Sequence, residues 1–232
     1  MKLSHSRCFT YLGIVSLLAF AVVPIHASLV QVASAAGLPA INDGISWASL
    51  GGDLTALSPP VALTTTAAHG ATLSGSTAFT LFLGSTFNAD FLPGDTVVSA
   101  FDINSVTPLS SGIQIDLQTL AIGFGAQVQE GSAFGAFSAT LQAFDSSSVS
   151  LGSVTVNSSV GGNGDGSAVF LGAYSTGNPI ARVLVTSNLA GVAIDTVSLD
   201  DVVTTSLSPE PASFVLGFSA IGALALLRRK RA

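Results

Sequence analysis

Phe134-Gly135-Ala136-Phe137-Ser138-Ala139-Thr140-Leu141-Gln142-Ala143-Phe144, then Asp145-Ser146-Ser147-Ser148, then Val149-Ser150-Leu151-Gly152-Ser153-Val154-Thr155-Val156: this stretch decides the fold. Side chains alternate across a strand with period two, so Phe137, Ala139, Leu141 and Ala143 share one face. That set is apolar and predicts the core side. Phe134, Ala136, Ser138, Thr140 and Gln142 fall on the other side. Asp and Ser in succession favour a turn because their short side chains bond the nearby backbone. The chain then returns with Val149, Leu151, Val154 and Val156, so the whole stretch predicts a β-hairpin.

Outward from the hairpin the pattern continues. Gly112-Ile113-Gln114-Ile115-Asp116-Leu117 alternates cleanly, and 121–129 does so more loosely. After the hairpin, 157–167 is rich in glycine and predicts a mobile loop. Runs at 168–174, 180–186 and 192–199 follow at about ten-residue spacing, which predicts a two-sheet antiparallel sandwich with jelly-roll-like connections. The first part, 37–102, is less regular. Charged residues make up 9% of the chain, too few for long helices with a solvated face, and this also argues for an all-β body.

The charge is unevenly placed. Lys2 and Arg7 lie near the start, and Arg228-Arg229-Lys230-Arg231 lie at the end, leaving Arg182 as the one Lys or Arg between them. Against it stand thirteen acids between Asp43 and Glu210, a formal charge of −12 where the whole chain carries −6. Such a body is repelled by nucleic acid and by anionic lipid.

Both ends read as targeting segments. Lys2 and Arg7 followed by an apolar run at 9–23, then Ile25-His26-Ala27, form a secretory signal, with cleavage expected between Ala27 and Ser28. Ala33-Ser34-Ala35 is a rival site set too far beyond the apolar run. Cys8, the single cysteine, leaves with the signal, so the exported part has no disulfide. At the other end stand Ser208-Pro209-Glu210-Pro211, an uncharged apolar run at 212–227 and the basic cluster Arg228, Arg229, Lys230, Arg231. The prolines keep their segment extended. Sixteen helical residues cover roughly 24 Å against about 30 Å of hydrocarbon, a short single transmembrane helix with its basic end cytoplasmic. The expected organisation is a signal peptide at 1–27, an exported β-sandwich at 28–207 and a sorting and anchor segment at 208–232.

The Pro209-Glu210-Pro211 motif, apolar run and basic cluster resemble the PEP-CTERM tail. The resemblance implies recognition by an exosortase, a membrane-embedded cysteine transpeptidase-like enzyme, with transient anchoring in the inner membrane. Ser208 departs from the family's commoner aliphatic residue. Asn42-Asp43-Gly44-Ile45-Ser46-Trp47, Val169-Phe170-Leu171-Gly172 and Ala193-Ile194-Asp195 resemble segments of the same group. They imply a non-enzymatic surface or matrix β-sandwich, associated with exopolysaccharide in a biofilm. A plain, uncleaved anchor is the alternative for the tail. A lectin-like polysaccharide-binding module is the alternative for the body.

Candidate chemistry is sparse. His69, in Ala67-Ala68-His69-Gly70, is the sole imidazole beyond the signal and is expected to be a solvated turn residue. No Gly-x-Ser-x-Gly elbow supports a hydrolase, and no catalytic residues are assigned. Calcium takes carboxylate and carbonyl oxygens. Its candidates are Asp43, Asp195, Asp200 and Asp201, because a jelly roll brings the mature start beside the last strand, although turn caps and solvated carboxylates remain the expected role. Trp47 is expected in the core, Tyr174 on a strand, and Arg182 at a sheet surface paired with an aspartate.

Overall fold

The computed structural model describes residues 28–202 apart from 88, 110, 132 and 133. The signal segment 1–27, including Ala27, and the tail with Pro209, Glu210, Pro211, Arg228, Arg229, Lys230 and Arg231 lie outside the described residues. So do the helices expected for both segments. No helix among the described residues is long and apolar enough to cross a membrane.

The chain runs β1 (Leu29–Val32), β2 (Asp43–Ile45), β3 (Ala56–Leu57), β4 (Val61–Thr64), β5 (Gly70–Ser74), β6 (Phe79–Leu83) and β7 (Thr96–Ser99). A small two-stranded ribbon, β8 (Phe101–Asp102) with β9 (Thr107–Pro108), precedes the long β10 (Ile113–Glu130). Then come β11 (Gly135–Phe144), β12 (Ser150–Val160), β13 (Val169–Ser175), β14 (Ile180–Ser187), β15 (Val192–Ile194) and β16 (Val197–Asp201). All pairings are antiparallel.

The expected hairpin is β11–β12, in register from Gly135↔Val160 to Ala143↔Gly152, with a shift of register before Phe144↔Ser150. Phe137, Ala139, Leu141 and Ala143 are buried, as their parity predicts. Its turn is held by Asp145, whose Oδ1 accepts from the amides of Ser147 and Val149, both at 2.9 Å.

The two runs expected as separate strands at 112–117 and 121–129 are one strand, β10, which belongs to both layers. Its first part pairs with β14 and β5, and its last part with β13, β16 and β15. Ile113, Ile115 and Leu117 are buried in the first part; Phe124, Ala126 and Val128 are buried in the last. Inward parity thus changes from odd to even. The ladder shifts register between Asp116 and Ala121 against β14, and between Ala121 and Gly123 against β16. A bulge of this kind bends a strand and lets it turn the corner from one sheet to the next.

The layers pack around one large core that includes Trp47, Phe79, Phe124, Leu141, Leu171 and Ile180. A second cluster gathers Phe82, Phe87, Phe91 and Phe101 beside β7, with ring centroids 4.9 Å apart for Phe82–Phe87. Of the stretch 157–167, expected to be a mobile loop, residues 157–160 belong to β12 and the rest is tied down. The buried Asp90 carboxylate accepts from the amides of Gly161 at 2.7 Å and Asn163 at 2.8 Å.

Candidate functional site

Two places gather functional groups. The first joins the beginning and end of the body. β2 pairs with β16, Leu199 opposite Asp43, so the segment around Asn42 and Asp43 does lie beside the last strand, whereas β1 pairs with β13. Asn42 clamps the pair: its Oδ1 accepts from the Asp201 amide at 2.7 Å and its Nδ2 donates to the Asp201 carbonyl at 3.1 Å. Between β4 and β5 a tight turn, with Ala68 at φ 64°, presents His69 to the same spot. The His69 ring Nδ1 lies 2.8 Å from Asp201 Oδ2 and 3.2 Å from Asp43 Oδ2. The other Asp43 oxygen accepts from the Gly44 and Ala67 amides, both at 2.7 Å, and from the Thr66 hydroxyl at 2.9 Å.

The electrostatics follow from burial. The Asp43 side chain has no exposed surface, Asp201 shows 7% and His69 39%. Burial by itself would raise the Asp43 carboxyl, but the donors of Thr65, Ala67, Gly44 and Thr66 hold it far below the usual range. Asp201 is pushed up, by burial first and then by the neighbouring Asp43, with His69 opposing. The imidazole is raised, chiefly by its bond to Asp201 and then by Asp43, against a smaller effect of burial.

His69 is therefore a buttress between two carboxylates, where the sequence context predicted a solvated turn residue. Its partners lie 26 and 132 positions away, beyond any local signal. Among the described residues no hydroxyl is hydrogen-bonded to its other ring nitrogen. Of the four calcium candidates, Asp43 and Asp201 meet. Asp200 projects to the opposite face of β16, where its Oδ2 accepts from the Ala40 amide at 3.1 Å. Asp195 belongs to the second place.

That second place is an open groove of about 500 Å³ whose lining includes Ser34, Gln127, Phe170, Asp195 and Ser198. Phe170 on β13 stands opposite Gln127, next to the Gly172–Gly125 pair. A Cβ added at Gly125 would come within 2.4 Å of Phe170 Cζ, and one at Gly172 within 2.4 Å of Cε1. The two glycines thus form a shelf on which the tip of the ring rests, and the half-buried remainder faces the groove. Gln127 Nε2 donates to the carbonyls of Gly166 at 2.9 Å and Ala168 at 3.1 Å, fixing the loop that makes one wall.

Asp195 interrupts the strand between β15 and β16. Its amide donates to the Gln127 carbonyl, and its own carbonyl accepts from Trp47 Nε1, both at 3.0 Å. Its buried Oδ1 has no donor within hydrogen-bond reach among the described residues. Burial, reinforced by Asp95, raises its carboxyl, against the hydrogen bonds of Thr196. A buried acceptor left without a partner costs about 1–3 kcal/mol, and perturbed carboxyls of this sort concentrate at functional sites.

Arg182, the body's one arginine, makes no ion pair among the described residues. Its guanidinium carbon lies 4.5 Å from the centre of the Phe144 ring, where pairing with an aspartate was expected. Asp116 is its register neighbour on β10, but that carboxylate accepts from Gln114 Nε2 at 2.8 Å. Trp47 is buried in the core, and Tyr174 lies on β13 opposite Val30, as expected.

No family model and no curated protein matches the chain. Solved structures similar to it include a DUF4465 family protein from Bacteroides caccae, with TM-score 0.38 and 10% identity over 69% of this chain and 99% of that one. Another is CsCBM6-3 from Clostridium stercorarium in complex with cellobiose, with TM-score 0.31 and 16% identity over 65% of this chain and 97% of that one. A third is the CBM22-1–GH10 portion of xylanase 10B from Clostridium thermocellum, complexed with xylohexaose. It has TM-score 0.29 and 9% identity, over 56% of this chain and 24% of that one. Likenesses of this degree assign neither a fold family nor a ligand to the chain.

Proposed function

We propose that this chain is a non-enzymatic, exported β-sandwich that holds polysaccharide at the cell surface or in the extracellular matrix. The observation that carries this reading is the groove with Phe170 on its glycine shelf. An aromatic ring supplies the apolar surface on which a sugar ring packs, and Asp195, Ser34 and Ser198 supply partners for its hydroxyls. The strongly acidic body favours neutral or amino sugars over uronates, since like charges in a groove repel. In this reading the connections of the sandwich are of jelly-roll type, and His69 is structural.

Export and sorting rest on the two ends. Cleavage between Ala27 and Ser28 keeps β1, which covers the edge of β13 through four register pairs from Leu29↔Ser175 to Val32↔Gly172. Cleavage at Ala33-Ser34-Ala35 would remove that strand and part of the groove wall. Pro209-Glu210-Pro211 serves as the exosortase recognition motif, with Arg228, Arg229, Lys230 and Arg231 stopping transfer at the inner membrane until processing.

Immobilised extracellular polysaccharide from the producing cells should retain the purified protein. Phe170→Leu, which keeps apolar bulk but loses the ring, should bind at least about tenfold more weakly, about 1.4 kcal/mol. Passage of the wild-type protein straight through such a column would sink the polysaccharide reading.

A further inference from the structure

We propose that Asp43, His69 and Asp201 form a binding site for a divalent transition-metal ion of the zinc class, closing β2 onto β16. The inference goes beyond the polysaccharide reading and does not depend on it. Three ligand atoms, the Oδ2 of each aspartate and the ring Nδ1 of His69, lie within 4.8 Å of one another. The two nitrogen–oxygen separations are 2.8 and 3.2 Å. Ligand atoms bonded at about 2.0–2.1 Å to one ion sit roughly 2.9–3.4 Å apart in octahedral or tetrahedral shells, so the nitrogen already stands close to ligand spacing from each oxygen, and the two oxygens, within 4.8 Å of one another, complete the set.

Charge supplies a second, independent argument. Two carboxylates face one another here, one wholly buried and one with 7% of its surface exposed. A single ring nitrogen carries at most one proton, and that N–H must serve both oxygens. The only permanent side-chain cation of the body, Arg182, is engaged with Phe144 on another strand pair. Compensation comes from a proton shared within the cluster or from a bound cation, and only a divalent ion neutralises both carboxylates while leaving them ionised.

The surroundings are built for a ligand set. Three donors fix one Asp43 oxygen, which aims the other at His69, as outer hydrogen bonds do around metal sites. The partly exposed imidazole leaves a path for entry and a position for water. Two oxygens and one imidazole nitrogen suit zinc or manganese; calcium wants six to eight oxygens. Because Asp201 is the last residue of β16, the ion would secure the strand that leads into the C-terminal segment.

The test uses the exported protein freed of metal with a chelator. Zinc chloride should raise the melting temperature, bind one to one by calorimetry, and be reversed by the chelator. Cobalt(II) should give a visible absorption band from nitrogen–oxygen ligation. His69→Gln, which removes the nitrogen ligand while keeping a polar side chain in the turn, should lower zinc affinity at least about tenfold and abolish the cobalt band. Absence of zinc binding overturns the proposal. So does equal zinc binding by His69→Gln, or stabilisation by calcium chloride where zinc chloride has none.

Discussion

At the scale of single residues, Asp195 shows a group kept against stability. Its carboxyl is raised above the ordinary value of 3.8 by burial and then by Asp95, so the folded protein disfavours the ionised form. That penalty is complete at neutral pH and vanishes as pH falls through the raised value towards that of the unfolded chain. Asp195→Asn should therefore stabilise the protein by about 1 kcal/mol in neutral urea melts, with the gain shrinking in acid, while polysaccharide binding weakens. A variant less stable than the wild type at neutral pH would show that the carboxylate has a partner that this reading lacks. Arg182 teaches the opposite lesson. Its guanidinium lies over the Phe144 ring without an ion pair among the described residues, so Arg182→Met should cost only about 1 kcal/mol in denaturant. A loss of several kcal/mol would mean that the charge itself is needed. Trp47 was legible as core from its type alone. The two carboxylates around His69 were not, because hydrogen bonding across 132 positions leaves no mark in the local sequence.

At the scale of elements, parity did most of the work. In β11 from Phe137 onward the odd positions are buried and the even ones half-exposed, so neighbouring residues should respond very differently. Leu141→Ala should cost about 2–5 kcal/mol through the cavity it leaves, and Gln142→Ala within about 0.5 kcal/mol. Similar losses at both positions in thermal or urea melts would refute the register. In β10 the bend from odd to even burial escaped a period-two reading, because a bulge is chosen by the sheets it must join. The glycine shelf is also an element-scale feature: Gly125 and Gly172 stand on neighbouring strands and matter only as a pair beneath Phe170. Gly125→Ala should push the ring tip off the shelf, since the colliding atom ends a movable side chain. Stability should stay within about 1 kcal/mol of the wild type, while binding to the column falls. Undiminished binding would remove Phe170 from the site.

At the scale of the whole molecule, the proposed function makes the two ends of the sequence the segments that direct the export of the acidic β body. If Pro209-Glu210-Pro211 is recognised as proposed, intact-mass measurement of the exported protein should show Ser28 as its first residue and loss of Arg228, Arg229, Lys230 and Arg231. A basic tail still attached in cells with an active exosortase would leave a plain membrane anchor.

By itself, the sequence determined the all-β class, the hairpin at 134–156 and the acidic charge, since each depends on residue type and short-range periodicity. It also placed Asp43 correctly near the last strand. Only the tertiary structure decided that β10 serves both layers, that Asp90 fixes the glycine-rich loop, and that His69 joins Asp43 to Asp201 while Asp195 and Asp200 go elsewhere. Each of these depends on which distant strands become neighbours. That choice is made by the packing of a shared core, and no local pattern of residues encodes it.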